Sequence, residues 1–186
     1  MANASNVTTG KPKKGGAIFR APLGSTLPTD ATTALDGAFV GLGYCSDDGL
    51  TNENSPETES IKAWGGDTVL TTQTAKEDTF TFKLIETMSP DVLKAVYGSA
   101  NVTGTLADGI TVKATSDPQE AVAWVIELLQ RDGAHKRIVI PSAAITEIGE
   151  IAYSDEDAVG YEVTITATPD ADGNTHYEYI KAKGEA

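Results

Sequence analysis

The sequence predicts a mainly β protein, a β-sandwich or open barrel with one flanking α-helix. Three observations lead there. Tyr161, Val163, Ile165 and Ala167 alternate with Glu162, Thr164, Thr166 and Thr168, the period-two mark of a half-buried strand. The 18 glycines imply many turns. The clearest helix signal, Ser89 to Gly98, is too short to stand without a sheet to pack on.

The elements follow in order. Residues 1–16 read as a flexible arm, polar and without an apolar pattern. Ala17 to Arg20 is a short strand. Pro22 to Asp36 is an extended connector, with Pro28-Thr29-Asp30 as a turn. Ala38 to Tyr44 is a second strand. Residues 46–66 form a long loop: Asp47-Asp48-Gly49 is a turn, Asn52 to Pro56 is polar, and Gly65-Gly66 closes the stretch. Inside it, extended structure resumes at Ser60 to Trp64. Thr68 to Thr74 is β-branched with little to bury, whereas Thr79 to Leu84 alternates cleanly. Ser89, Pro90 and Asp91 open the helix, Val92, Leu93, Val96 and Tyr97 form its stripe, and Gly98 stops it.

Val122 to Gln130 fits either a helix face or a strand. Arg131-Asp132-Gly133-Ala134 followed by Ile138-Val139-Ile140 favours a hairpin, with Pro141 ending its second strand. Ile145 to Tyr153 needs a bulge near Gly149 to hold period two. A last hairpin joins Tyr161–Thr168 to Thr175–Ala182. Residues 17–186 therefore read as one β-sandwich domain.

Chemistry finds little purchase. Asp170, Asp172 and Asn174 have calcium-loop spacing, but position twelve is Lys181 and both flanks are strands, so a hairpin turn is the better reading. His135 and His176 lack a partner at zinc-ligand spacing. Cys45, the single cysteine, has no nearby base and reads as a half-buried strand residue. Gly41-Leu42-Gly43 lacks the third glycine of a dinucleotide site. No acid–base pair, metal cluster or activated nucleophile emerges, so no catalytic residue, metal or cofactor is assigned and an enzyme is not expected. Trp124 belongs to the core. Trp64 is either a contact anchor or a core plug.

The formal charge is −13, unevenly spread: Lys11, Lys13, Lys14 and Arg20 precede the first acid, and the other ten basic residues face all 27 acids. An acidic body repels phosphate. It serves solubility, or a surface that faces DNA without holding it. The basic arm also favours docking on an acidic neighbouring copy. No apolar run is long enough to span a membrane, the first residues lack a signal peptide, and the lone cysteine suits a reducing compartment.

Several segments resemble the major tail protein (tail tube subunit) of long non-contractile phage tails, in the form found in phages of actinobacteria. They are Ala21-Pro-Leu-Gly-Ser-Thr-Leu-Pro-Thr-Asp, Phe39-Val-Gly-Leu-Gly-Tyr-Cys-Ser-Asp-Asp-Gly-Leu, Ile61-Lys-Ala-Trp-Gly-Gly-Asp, Phe80-Thr-Phe-Lys-Leu-Ile-Glu-Thr, Val92-Leu-Lys-Ala-Val-Tyr-Gly and Tyr153-Ser-Asp-Glu-Asp-Ala-Val-Gly-Tyr-Glu-Val-Thr. The resemblance implies a phage tail-tube-like sandwich. It implies self-assembly into hexameric rings that stack into a tube around a tape-measure protein, bounded by tail tip and tail terminator proteins. Double-stranded DNA would cross the lumen without specific binding. The location would be the virion tail, assembled in the host cytoplasm, with no membrane. By that likeness the arm and residues 46–66 bridge rings, which makes Lys11, Lys13, Lys14, Asp47, Asp48, Glu53 and Trp64 the inter-subunit contact candidates. The alternatives are an immunoglobulin-like binding or adhesion module, and a tail terminator or head–tail connector ring protein.

Overall fold

The computed structural model describes residues 1–183. The arm is seated on the chain's own sheet. After a 3-10 turn at Ala4–Asn6, strand β1 (Lys11–Pro12) pairs with Leu129 and Leu128. Strand β2 (Ile18–Ala21) follows, then the expected connector, where the Asp30 carboxylate accepts from the amides of Thr32 (2.6 Å) and Thr33 (2.7 Å). The expected strand at 38–44 shrinks to β3 (Val40–Gly41).

The stretch read as a long loop is instead strand. β4 (Cys45–Glu53) and β5 (Pro56–Lys62) run almost without interruption, and β6 (Thr68–Lys76) and β7 (Thr79–Leu84) return beside them. The physical reason is that nearly every residue from 51 to 76 is exposed, so neither face needs apolar side chains and no period-two signal is written. In β7 the buried positions alternate as read, with Phe80, Phe82 and Leu84 inward.

Helix α1 (Pro90–Tyr97) has the expected bounds and buries Val92, Leu93, Ala95 and Val96. Ser89 occupies the cap position without a side-chain bond. A hairpin of β8 (Val102–Thr105) and β9 (Gly109–Val112), absent from the sequence reading, lies against the helix. β10 (Val122–Leu129) and β11 (His135–Ile148) form the expected hairpin, and its turn holds Asp132 at φ 59° and Gly133 at φ 76°. The sheet chooses strand over helix here because Ala123 to Ile126 are buried on both faces, which hides alternation.

Two expectations for the last third are corrected. Pro141 does not end a strand, since it lies inside the 14-residue β11. Its missing N–H costs no ladder bond because Pro141 lies where the pairing with β10 shifts register. The second shift falls between Ile145 and Glu147, not at Gly149, and β11 ends at Ile148. Nor are β12 (Tyr161–Ala167) and β13 (Tyr177–Lys181) a hairpin: both pair antiparallel with β11, end to end along one edge. They are one strand line interrupted by an excursion at 168–176.

The main sheet has nine strands in the order β3-β2-β10-β11-β12-β7-β4, with β1 and β13 filling the edges of β10 and β11. Its two ends, β3 and β4, are separated in the chain by only Leu42 to Tyr44, so the sheet folds over on itself as an open-barrel sandwich. Gly43 sits at that crossing with φ 71°, and a Cβ there would collide with the Glu86 carboxyl, which accepts from Tyr44 N at 2.9 Å. The core joins Phe80, Phe82, Leu84, Trp124, Ile126, Ile140, Val163 and Ile165 to the inner face of α1. Trp124 satisfies its indole N–H on Ala143 O at 3.1 Å.

Candidate functional site

The buried charges of this chain are consumed by structure. Glu127 and Arg137 face each other across β10 and β11, both almost fully buried. Arg137 donates to Glu127 and to the carbonyls of Asp30 and Thr33, each at 2.8 Å, which pins the connector. Lys13 binds the other Glu127 oxygen at 2.5 Å and pins the arm. Burial alone would push the Glu127 carboxyl up, but hydrogen bonds from Lys13 and Arg137 hold it below the usual range. A second buried carboxylate, Asp78, accepts from Asn52 (2.8 Å), Thr175 (2.5 Å) and His176 (2.5 Å). There too the hydrogen bonds outweigh desolvation and keep the group low.

The other sequence candidates have equally plain places. Asp170 accepts from the amides of Asp172 and Asn174 and from the Tyr177 hydroxyl, closing the excursion's turn. Among the described residues, no three of His, Cys, Asp or Glu gather to hold a metal ion. Cys45 is half-buried, and desolvation first, then Glu86, pushes its thiol up to about 11, away from nucleophile chemistry. Among the described residues, no helix is long and apolar enough to cross a membrane.

One piece of the surface stands out physically. The β5–β6 hairpin pairs with nothing else among the described residues. Nine residues of strand give it a length of about 30 Å. Ile61 and Leu70 oppose each other on one face, half exposed; Val69, the extra residue of a register shift beside them, is exposed too, and Trp64 at the turn is wholly exposed. Trp64 is therefore not a core plug. A two-stranded ribbon is marginal in water by itself, so this one has the form of an element completed by contact.

The seven contact candidates do not form one patch. Trp64 is at the hairpin tip. Glu53 ends β4, paired with Thr79. Asp47 and Asp48 lie in the irregular part of β4 and line a cleft of about 1100 Å³. Its floor includes Ile18, Leu50, Ile126 and Leu128, and the arm supplies Gly10 and Pro12. Lys11 and Lys14 are exposed on the docked arm, while Lys13 is bound to Glu127 within its own chain. Beyond Cys45–Leu50 β4 also offers an outer edge that is unpaired among the described residues, where β7 is its one partner. Sequence reasoning missed that edge, the first half of β5 and the pairing of β5 with β6, though it read Ser60–Trp64 as extended and Thr68–Thr74 as strand. The threonines of 68–74 were the available signal, since a β-branched run with nothing to bury fits a ribbon exposed on both faces.

A family model described as "Phage tail tube protein" matches residues 2–185. No curated protein matches the chain.

Proposed function

The chain belongs to the phage tail tube protein family and is a structural component of a phage tail, and we propose that its copies join into hexameric rings that stack, through the β5–β6 hairpin, into the tube that delivers the genome. The hairpin carries this reading. Its exposed Ile61, Trp64, Val69 and Leu70 gain burial only against another molecule, and a repeating subunit always has a copy of itself at hand. The unpaired edge of β4 supports lateral joining, since strand pairing between copies removes the hazard of an open edge. The −13 charge supports passage of DNA past the tube wall without adhesion.

In this reading Trp64 and Glu53 serve ring-to-ring contact, Asp47 and Asp48 border the lateral joint, and Lys11 and Lys14 reach an acidic neighbour. A tape-measure protein fills the growing lumen, and tip and terminator proteins bound the tube. Assembly takes place in the host cytoplasm. The test is electron microscopy of the purified protein at rising concentration, with and without a tail-tip complex. Six-fold rings and hollow tubes are expected. Monomers that fail to elongate even from the tip would overturn the reading.

A further inference from the structure

We propose that Asp78 is the positioning residue of the β5–β6 hairpin: its carboxylate latches the base of the hairpin to the 168–176 excursion and so sets the direction in which the hairpin leaves the body. The inference rests on the reading of that hairpin as an assembly element and adds how it is aimed.

The argument begins with a break in the ladder. β4 and β7 pair as far as Glu53 with Thr79, and β5 and β6 begin pairing at Pro56 with Lys76. Between them Asn54 and Ser55 face Glu77 and Asp78 without a ladder pair. A ribbon that loses its cross-strand bonds over two residues on each side bends most easily there. Pro56 removes one more donor just beyond the break. Asn54 Oδ1 is buried at the same place without a hydrogen-bond partner, an acceptor that the present angle of the ribbon leaves unused.

Asp78 sits in this joint and its carboxylate ties the joint to the body. It is 1% exposed, yet it carries a charge that burial penalises, so its donors must be kept. One donor, Asn52, belongs to β4 and also reaches Thr79 O at 3.0 Å. The other two, Thr175 and His176, belong to the end of the excursion, almost a hundred residues away in sequence. The backbone adds Asp78 O, which accepts from Ala167 N at 2.9 Å. His176 is further fixed edge-on against Phe80, with ring centroids 5.3 Å apart. The latch thus ties a joint with no ladder of its own to β4 and to the end of the excursion beside β13. The hairpin beyond has no other tie to the body among the described residues.

The test measures direction apart from stability. In a Cys45→Ser background, spin labels are placed at Asp67→Cys on the hairpin turn and Lys113→Cys on the body. Their separation is read by pulsed dipolar spectroscopy at a concentration below assembly, with unlabelled protein in excess. The parent should give one narrow distance distribution. Thr175→Val and His176→Phe should each broaden it at least twofold and slow tube elongation about tenfold, and Asp78→Ala should do both more strongly. Asp78→Ala is the variant that could fail to fold, and the two single-donor variants keep the question answerable. A distribution unchanged in folded Thr175→Val and His176→Phe, whatever their melting temperatures, would overturn the latch. A broadened distribution in a protein that never forms tubes would uphold the latch and sink the tube reading.

Discussion

Arg137 is the side chain whose loss should cost most. It is 1% exposed and spends its guanidinium on Glu127 and on two connector carbonyls. Arg137→Met removes the charge, keeps comparable bulk, and leaves Glu127 with Lys13 alone. Urea unfolding should show a loss of about 3–5 kcal/mol, the range for breaking one partner from a buried pair. The same cluster predicts the acid limb. The folded Glu127 carboxyl lies below its ordinary value of 4.5, so the unfolded chain takes up the proton first. Its contribution is therefore complete above about pH 4.5 and is lost as pH falls through the lower folded value. Asp78 adds the same sign below its ordinary 3.8. Stability measured from pH 7 down to 3 should fall, and Glu127→Gln, though less stable at neutral pH, should fall less. Trp64 is the opposite case. Trp64→Ala should leave the unfolding midpoint within about 0.5 kcal/mol and remove the solvent-exposed emission, leaving that of buried Trp124. In the proposed tube it should also raise the protein concentration needed for assembly.

At the level of elements, the hairpin and the body should be separable. Replacing residues 56–76 by an Asn-Gly turn removes no core residue, because every buried side chain of the cluster lies outside that stretch. Calorimetry should find the truncated protein folded, with a melting temperature near that of the parent, and microscopy should find no tubes. A collapse of the fold would mean that the ribbon supports the sheet, contrary to its lack of pairing partners. The same stretch explains what the sequence could reveal. Helix α1 was legible to the residue because its cap position, proline, apolar stripe and glycine are all local. β7 and β12 were legible because one face is buried and the other wet. β5 was half hidden because both its faces are wet, so the extended backbone leaves no apolar rhythm. The break between β12 and β13 was misread as a hairpin for a different reason. Its turn chemistry, Pro169 to Asn174, is that of a hairpin, and only the partner strand β11, which lies earlier in the chain, makes the two segments collinear. The contact surfaces were named by type, loop and arm, while the Lys13–Glu127 pair that holds the arm at home depends on a fold no local pattern encodes.

For the whole molecule the net charge of −13 sets the terms on which copies meet. Every ring added to a tube brings acidic bodies together, and their repulsion acts over the screening length, about 30 Å at 10 mM salt and about 8 Å at 150 mM. The contacts proposed to hold the tube, apolar side chains of the hairpin and backbone pairing at β4, are insensitive to salt over that range. Repulsion is therefore the term that salt changes most. The critical concentration for assembly, measured by sedimentation, should fall as sodium chloride rises from 10 to 150 mM. Attraction between the exposed Lys11 and Lys14 of one copy and the acids of another works in the opposite direction, since screening weakens it. A critical concentration that rises with salt would show that arm-to-neighbour attraction outweighs body-to-body repulsion. Lys11→Gln with Lys14→Gln would then have to abolish the rise. With repulsion dominant, that double variant should shift assembly only slightly, because Lys13, the arm's best-placed cation, is already held by Glu127.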